Sequence, residues 1–276
     1  KKRYKVMTKE MPKKGKLSLE MMYQTCGTQI NLDYSSEEDF TKKFKIISFL
    51  TPLTVALFSN SAVKQGDPTG YLSYRTKVWQ NTSRAGLPDF FLDEVTFEKY
   101  ADFVLNFPLL FYYKNNEYNF PMGKTYKDLV SHEEANSENL ELHLSTIFTE
   151  LRLKKYIELR SLDACEWDCH CAGPAFFTGL LYGNLDETFE VIKDWNKDEI
   201  KNAYAESCKK GLRTEINRKD ILFWSIKLLQ ISKKGLEKRS YLNENGKNES
   251  VFLKNIENIL KNNLTKAEEY LNNFKK

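Results

Sequence analysis

The sequence predicts an α+β fold, with antiparallel strands in its first two-thirds and a helical tail. Three observations carry this reading. Residues 151–160 alternate cleanly, with Leu151, Leu153, Ile157 and Leu159 on one side and Arg152, Lys154, Tyr156, Glu158 and Arg160 on the other, the period of a strand with one apolar face. Residues 21–34 also read as a strand, and within it Gln29, Asn31 and Asp33 share one face. After about Glu187 the apolar residues recur at helical spacing instead, as in Ile221, Trp224, Leu228 and Ile231 and again in Phe252, Ile256, Ile259 and Leu260.

The elements follow in order. After the first strand, Ser35 and Glu38 have the spacing of a capping box, and the helix behind them carries Phe40, Phe44 and Ile47 on one stripe. Pro52 is expected to kink or end that helix. Residues 65–70 form a turn cluster rich in Gly, Asp and Pro, and residues 71–79 then alternate like a strand. A turn at 86–88 precedes a helix over 96–106. Residues 109–113 and 118–120 make a hairpin around 114–117, and 129–142 is a polar, acidic connection.

Composition narrows the function. A chain of 276 residues with 41% hydrophobic content can bury a large core, and 18 Phe and 15 Tyr argue for a packed body rather than disorder. With 42 basic and 38 acidic residues the net charge of +4 is too even for a nucleic-acid partner. No apolar run approaches the ~18–20 residues that span a bilayer, so no membrane partner is expected. There is no secretory pattern in the first 16 residues, and five unevenly spread cysteines fit a reducing compartment. Both point to the cytoplasm. The chain starts at Lys1 without Met, so a preceding part is expected to be missing.

Chemistry enters through Glu158 and Arg160, two apart on one strand face. Such a face can simply be solvated. It can also handle phosphate, the carboxylate holding Mg²⁺ and the guanidinium neutralising phosphoryl oxygens. Gln29 and Asn31 make a second polar row, either amides satisfied by backbone or the far wall of a shared cavity.

The stretch from Tyr156 to Asp163, YIELRSLD, resembles the metal-binding strand of glutamate–cysteine ligases of the plant and proteobacterial type. Further similar stretches occur in the family's order: MMYQTC from Met21, QINLDYSSE from Gln29, ALFSNS from Ala56, GYLSYRTKVW from Gly70, HLSTIF from His143 and CAGPAFFTGLLY from Cys171. They cover most of residues 4–185 and, more weakly, the tail. The resemblance implies a glutamine-synthetase-like carboxylate–amine ligase fold, a curved antiparallel sheet with outer helices. The chain would be the larger, C-terminal part of one catalytic domain, with 1–185 holding the sheet and 186–276 the helical tail.

The implied reaction uses ATP and Mg²⁺ to phosphorylate the γ-carboxylate of L-glutamate; the amine of L-cysteine then attacks, giving γ-glutamylcysteine, the precursor of glutathione. Carried over by residue, Glu158 would bind metal, with Gln29 beside it. Arg160 would face phosphate, with Gln29 and Asn31 on the nucleotide side. Arg75 would hold a substrate carboxylate and share catalysis with Arg160, and Arg84 and Thr25 would contact substrate. The alternatives are another carboxylate–amine ligase of the superfamily, or a catalytically incomplete fragment or metal-binding module. The oligomeric state, monomer or homodimer, is left open.

Three departures from the family stand out. Its front region carries a Gly-x-Glu-x-Glu strand of further metal carboxylates, so these 276 residues alone are expected to be inactive or nearly so. A regulatory cysteine pair known in the plant enzymes has no counterpart around 120–132, and Phe103 stands where the family places a tyrosine near the cysteine subsite. Cys165, Cys169, His170 and Cys171 could suggest zinc, but one short segment closes a tetrahedron poorly; the simpler expectation is a loop of free thiols.

Overall fold

The computed structural model describes residues 2–274 apart from Met122, Ser131 and Glu133. At its centre is a three-stranded antiparallel sheet of β1 (Gly27–Leu32), β2 (Leu151–Leu153) and β3 (Ile157–Asp163), with β3 in the middle. The expected single strand over 151–160 is therefore a hairpin. Leu151 pairs with Leu159, Arg152 with Glu158 and Leu153 with Ile157. Folding back about residue 155 keeps odd positions opposite odd ones, so both faces keep the residues that alternation assigned to them. Period alone cannot separate the two arrangements.

The register with β1 holds one irregularity. Ile30 pairs with Leu159 and Asn31 with Glu158, but Thr28 pairs with Leu162, so Gln29 is matched by both Arg160 and Ser161. This bulge moves Asp163, paired with Gly27, onto the polar face with Glu158, although their spacing of five would put them on opposite faces of a regular strand.

Helices cover the sheet. α1 (Ser18–Tyr23) occupies the start of the expected 21–34 strand, which shortens to β1. α2 (Glu37–Leu57) is capped by Ser36, whose hydroxyl accepts from the Asp39 amide, rather than by Ser35. It runs straight through Pro52. An interior proline costs about 3 kcal/mol, but residues 46–57 are all buried, and each large apolar side chain there returns about 1.5–3 kcal/mol.

α3 (Tyr74–Gln80) replaces the strand expected over 71–79. Ser73 caps it, accepting from the Thr76 amide, and that local signal outweighs the short alternation. The helix Phe97–Asn106, capped by Thr96, and the hairpin Tyr112–Lys114/Glu117–Asn119 agree with expectation. Asn115 and Asn116 turn that hairpin at φ 53 and 62. The connection over 129–142 ends in a helix, Ser137–Leu144.

On the apolar face, Ile30, Leu159 and Leu162 join Phe58, Phe176 and Phe177 in the main core. α4 (Ala172–Thr178) lies against them: a Cβ at Gly173 would stand 2.6 Å from Leu162 Cδ2. It continues as a π-turn, Gly179–Gly183, which crosses α5 (Ile221–Arg239) in the helical tail. There a Cβ at Gly235 would overlap the Gly179 backbone. Gly235→Ala is therefore expected to lower stability by about 2 kcal/mol through overpacking, seen as a lower urea midpoint at unchanged slope. The architecture is mixed α and β, with small sheets and many helices.

Candidate active site

The polar face of the sheet carries a row of buried charge. Glu158 sits between three cations: its Oε1 accepts from Lys154 Nζ at 2.8 Å, and its Oε2 lies 3.4 Å from Arg152 Nε and 3.7 Å from Arg160 Nε. Across this row the guanidinium carbons of Arg75 and Arg160 lie 4.3 and 4.8 Å from the Trp79 ring centroid. Arg75 also donates from Nη2 to the Arg160 carbonyl at 2.5 Å. Its position depends on Gly27, where a Cβ would stand 2.6 Å from Arg75 Nε.

These arginines are held at a cost. Arg160 is 6% exposed and Arg75 3%, and Arg75 Nη1, Arg152 Nε and Arg160 Nε have no hydrogen-bond partner among the described residues. Burial, then the neighbouring Arg152, pushes Arg160 down to about 9, with Arg75 adding to the effect against Glu158. Buried donors without partners are uncommon in folded proteins. Two of them, on Arg152 and Arg160, face Glu158 Oε2 beyond hydrogen-bond geometry.

Beside the row lies a cavity of about 470 Å³, walled by Thr25, Cys26, Lys64, Arg75 and Asp163. Asp163 is fully engaged: Oδ1 accepts from Ser73 Oγ at 2.9 Å, and Oδ2 from Ser61 Oγ at 2.7 Å and the Asn60 amide at 2.9 Å. Burial raises its carboxyl, against Arg75 and those hydrogen bonds.

The structure thus joins Arg75 to Thr25 in one cavity and to Arg160 and Glu158 along the sheet. Gln29 and Asn31 lie on the same sheet face, exposed. Arg84 is elsewhere: its Nε and Nη2 donate to the Thr146 carbonyl and Oγ1, and Nη1 to the Pro108 carbonyl at 2.6 Å, under the Phe107 ring. Arg84→Leu is expected to cost about 2–3 kcal/mol by orphaning those carbonyls, with little change in substrate KM; a raised KM at unchanged stability would place Arg84 at the substrate. Phe103 packs among Phe90, Phe91 and Tyr100.

Sequence reasoning passed over Arg152, Trp79 and Asp163. Arg152 and Trp79 each carry a readable signal, a basic residue and an aromatic on a polar stretch, but only the fold brings them to Arg160.

The same residues offer little to a divalent metal. Among the described residues no three Asp, Glu, His or Cys side chains gather as a metal would need, and Glu158 is already surrounded by cations. The residues present do not by themselves fit Mg²⁺. The expected loop of free thiols is also corrected: Cys165 and Cys169 form a disulfide, their Cα atoms 6.0 Å apart, which removes two of the thiolates zinc would use.

The sheet face with its buried arginines and the neighbouring cavity with the buried Arg75 guanidinium concentrate positive charge in one part of the fold. Comparison with known families goes further. The model of glutamate-cysteine ligase family 2 matches residues 1–274, and the chain belongs to that family. It is 38% identical over 282 residues to glutamate–cysteine ligase B, chloroplastic, of Oryza sativa subsp. japonica, covering 98% of this chain and 56% of that protein. The chloroplastic glutamate–cysteine ligases of Solanum lycopersicum and Arabidopsis thaliana are each 36% identical over 281 residues, covering 98% of this chain and 53% of theirs. The chain spans about half the length of the curated relatives it matches. All three are named as chloroplastic, which overturns the expectation of a cytoplasmic location. Among the described residues no helix is long and apolar enough to cross a membrane.

Proposed function

We propose that this chain supplies the arginine-lined part of the active site of an ATP-dependent ligase joining the γ-carboxylate of L-glutamate to the amine of L-cysteine. The observation that carries the reading is the pair Arg75 and Arg160, both buried, both over Trp79, each with a donor nitrogen that makes no hydrogen bond among the described residues. Family membership supports the choice of substrates. On this reading the fold is a carboxylate–amine ligase fold, and residues 1–185 and 186–276 are parts of one catalytic domain.

A carboxylate is a poor electrophile. Transfer of the γ-phosphoryl of ATP makes γ-glutamyl phosphate, and attack by the cysteine amine forms the amide and releases phosphate. Charge accumulates on the transferring phosphoryl oxygens, and a preorganised cation in a dry site stabilises it without reorganisation. Arg160 takes that role. Arg75, with Thr25 beside it, holds a substrate carboxylate in the cavity; Gln29 and Asn31, on the open side of the row, meet the nucleotide. Glu158 aligns Arg152 and Arg160. The family implies Mg²⁺, which the residues described here do not fit, so Glu158 acts on the arginines instead.

Glutamate labelled with ¹⁸O in the γ-carboxylate tests the route. One labelled oxygen should appear in the released phosphate for each amide formed by the protein carrying this chain. Unlabelled phosphate would refute the acyl-phosphate step.

A further inference from the structure

The cavity that holds Arg75 has a second charged wall. Glu20, on α1, uses Oε2 to accept from the Tyr74 hydroxyl at 2.7 Å and to pair with Lys64 Nζ at 2.7 Å. Glu20, Lys64 and Tyr74 all line the cavity. Burial alone would raise the Glu20 carboxyl, but hydrogen bonds from Lys64 and Tyr74 lower it overall, so it is ionised at neutral pH. Lys64 stands on the small hairpin Val63–Lys64/Asp67–Pro68. Gln65 and Gly66 turn that hairpin at φ 50 and 92, and a Cβ at Gly66 would meet nothing within 4 Å. The turn beside Lys64 therefore stands in open space.

Among the described residues the cavity is lined by two carboxylates, Glu20 and Asp163. Asp163 is spent on Ser61, Ser73 and Asn60. Glu20 remains, already holding an ammonium group at hydrogen-bond distance. At the other wall Arg75 is 3% exposed with Nη1 unpartnered among the described residues. A carboxylate shaped around an ammonium and a guanidinium with a free donor are the two halves of a zwitterion site. The volume, about 470 Å³, is in the range of small-molecule pockets.

We propose that Glu20 recognises the ammonium of an α-amino-acid substrate whose carboxylate Arg75 takes, and that Lys64 is the resident ammonium which the substrate displaces. The inference rests on the ligase reading for its choice of amino acids, but its test needs no turnover. L-Glutamate, L-cysteine and their N-acetyl forms would be titrated calorimetrically into the wild-type chain, Glu20→Gln and Lys64→Met. The wild type should bind at least one free amino acid tenfold or more tighter than its N-acetyl form. Glu20→Gln should lose that preference. Lys64→Met, lacking the competitor, should bind the free amino acid several-fold tighter, and it keeps the test sharp if Glu20→Gln folds poorly. An N-acetyl preference unchanged in Glu20→Gln, no tightening in Lys64→Met, or no binding of either amino acid would overturn the proposal. Intact discrimination in a protein that fails to ligate would support this pair and count against the proposed reaction.

Discussion

Arg160→Met should reduce ligation by the protein carrying this chain at least about a hundredfold while raising its melting temperature. The two effects share one cause. Arg160 sits 6% exposed beside Arg152 and Arg75, and its Nη1 reaches only the Thr149 carbonyl at 3.4 Å. Burial and the neighbouring cations bring it well below the usual guanidinium range, to about 9. For a base this sign means that the folded state bears the full cost below pH 9. That cost fades only as pH rises above that value, where the folded state gives up its proton before the unfolded one. Methionine removes it at neutral pH. Glu158 stays paired with Lys154 and Arg152, so no lone buried charge is created. Replacing buried ionic groups by apolar ones often stabilises by about 1–4 kcal/mol, and a protein this size gains about 2–4 °C for each kcal/mol. A fall in melting temperature together with activity would make Arg160 a structural cation.

Asp163→Ala should have the largest effect on stability, a loss of about 3–5 kcal/mol. The carboxylate is 3% exposed and ties the strand to the Asn60–Ser61 turn and to Ser73, the cap of α3. Without it those donors are buried unsatisfied and Arg75 loses its neighbouring negative charge. Because burial raises its folded pKa above 3.8, the titration of Asp163 gives stability that is complete below that value and lost as pH rises through the folded pKa. Asp163→Asn keeps an acceptor and does not titrate, so its stability should vary less over that interval. Urea midpoints measured from pH 3 upward check both variants. A midpoint for Asp163→Ala equal to wild type would show that Ser73 and Ser61 find other acceptors.

Much of this was legible in the chain. Alternation over 151–160 assigned the paired residues 151–153 and 157–159 to their correct faces even though the segment is a hairpin, because folding about residue 155 preserves parity. The Thr96 cap and the Asn115–Asn116 turn were readable for local reasons. What stayed hidden depends on contacts distant in sequence. The bulge opposite Gln29 turns Asp163 to the polar face, and no local pattern announces it. Helix α2 continues past Pro52 because its whole second half is buried. Cys165 and Cys169, four apart, come within bridging distance only once the loop after β3 turns into a helix. Arg84 looked like a loop arginine, and its carbonyl partners lie 24 and 62 residues away.

On the proposed reading the arginine row serves phosphoryl transfer to a carboxylate. The most direct measurement is the stoichiometry of ADP and γ-glutamylcysteine formed from ATP, L-glutamate and L-cysteine by the protein carrying this chain, beside Arg160→Met. One dipeptide per ADP is expected, with no product when any one substrate is omitted and at least about a hundredfold less of both with Arg160→Met. Dipeptide formed at the wild-type rate by Arg160→Met, or ADP released without dipeptide, would contradict that reading.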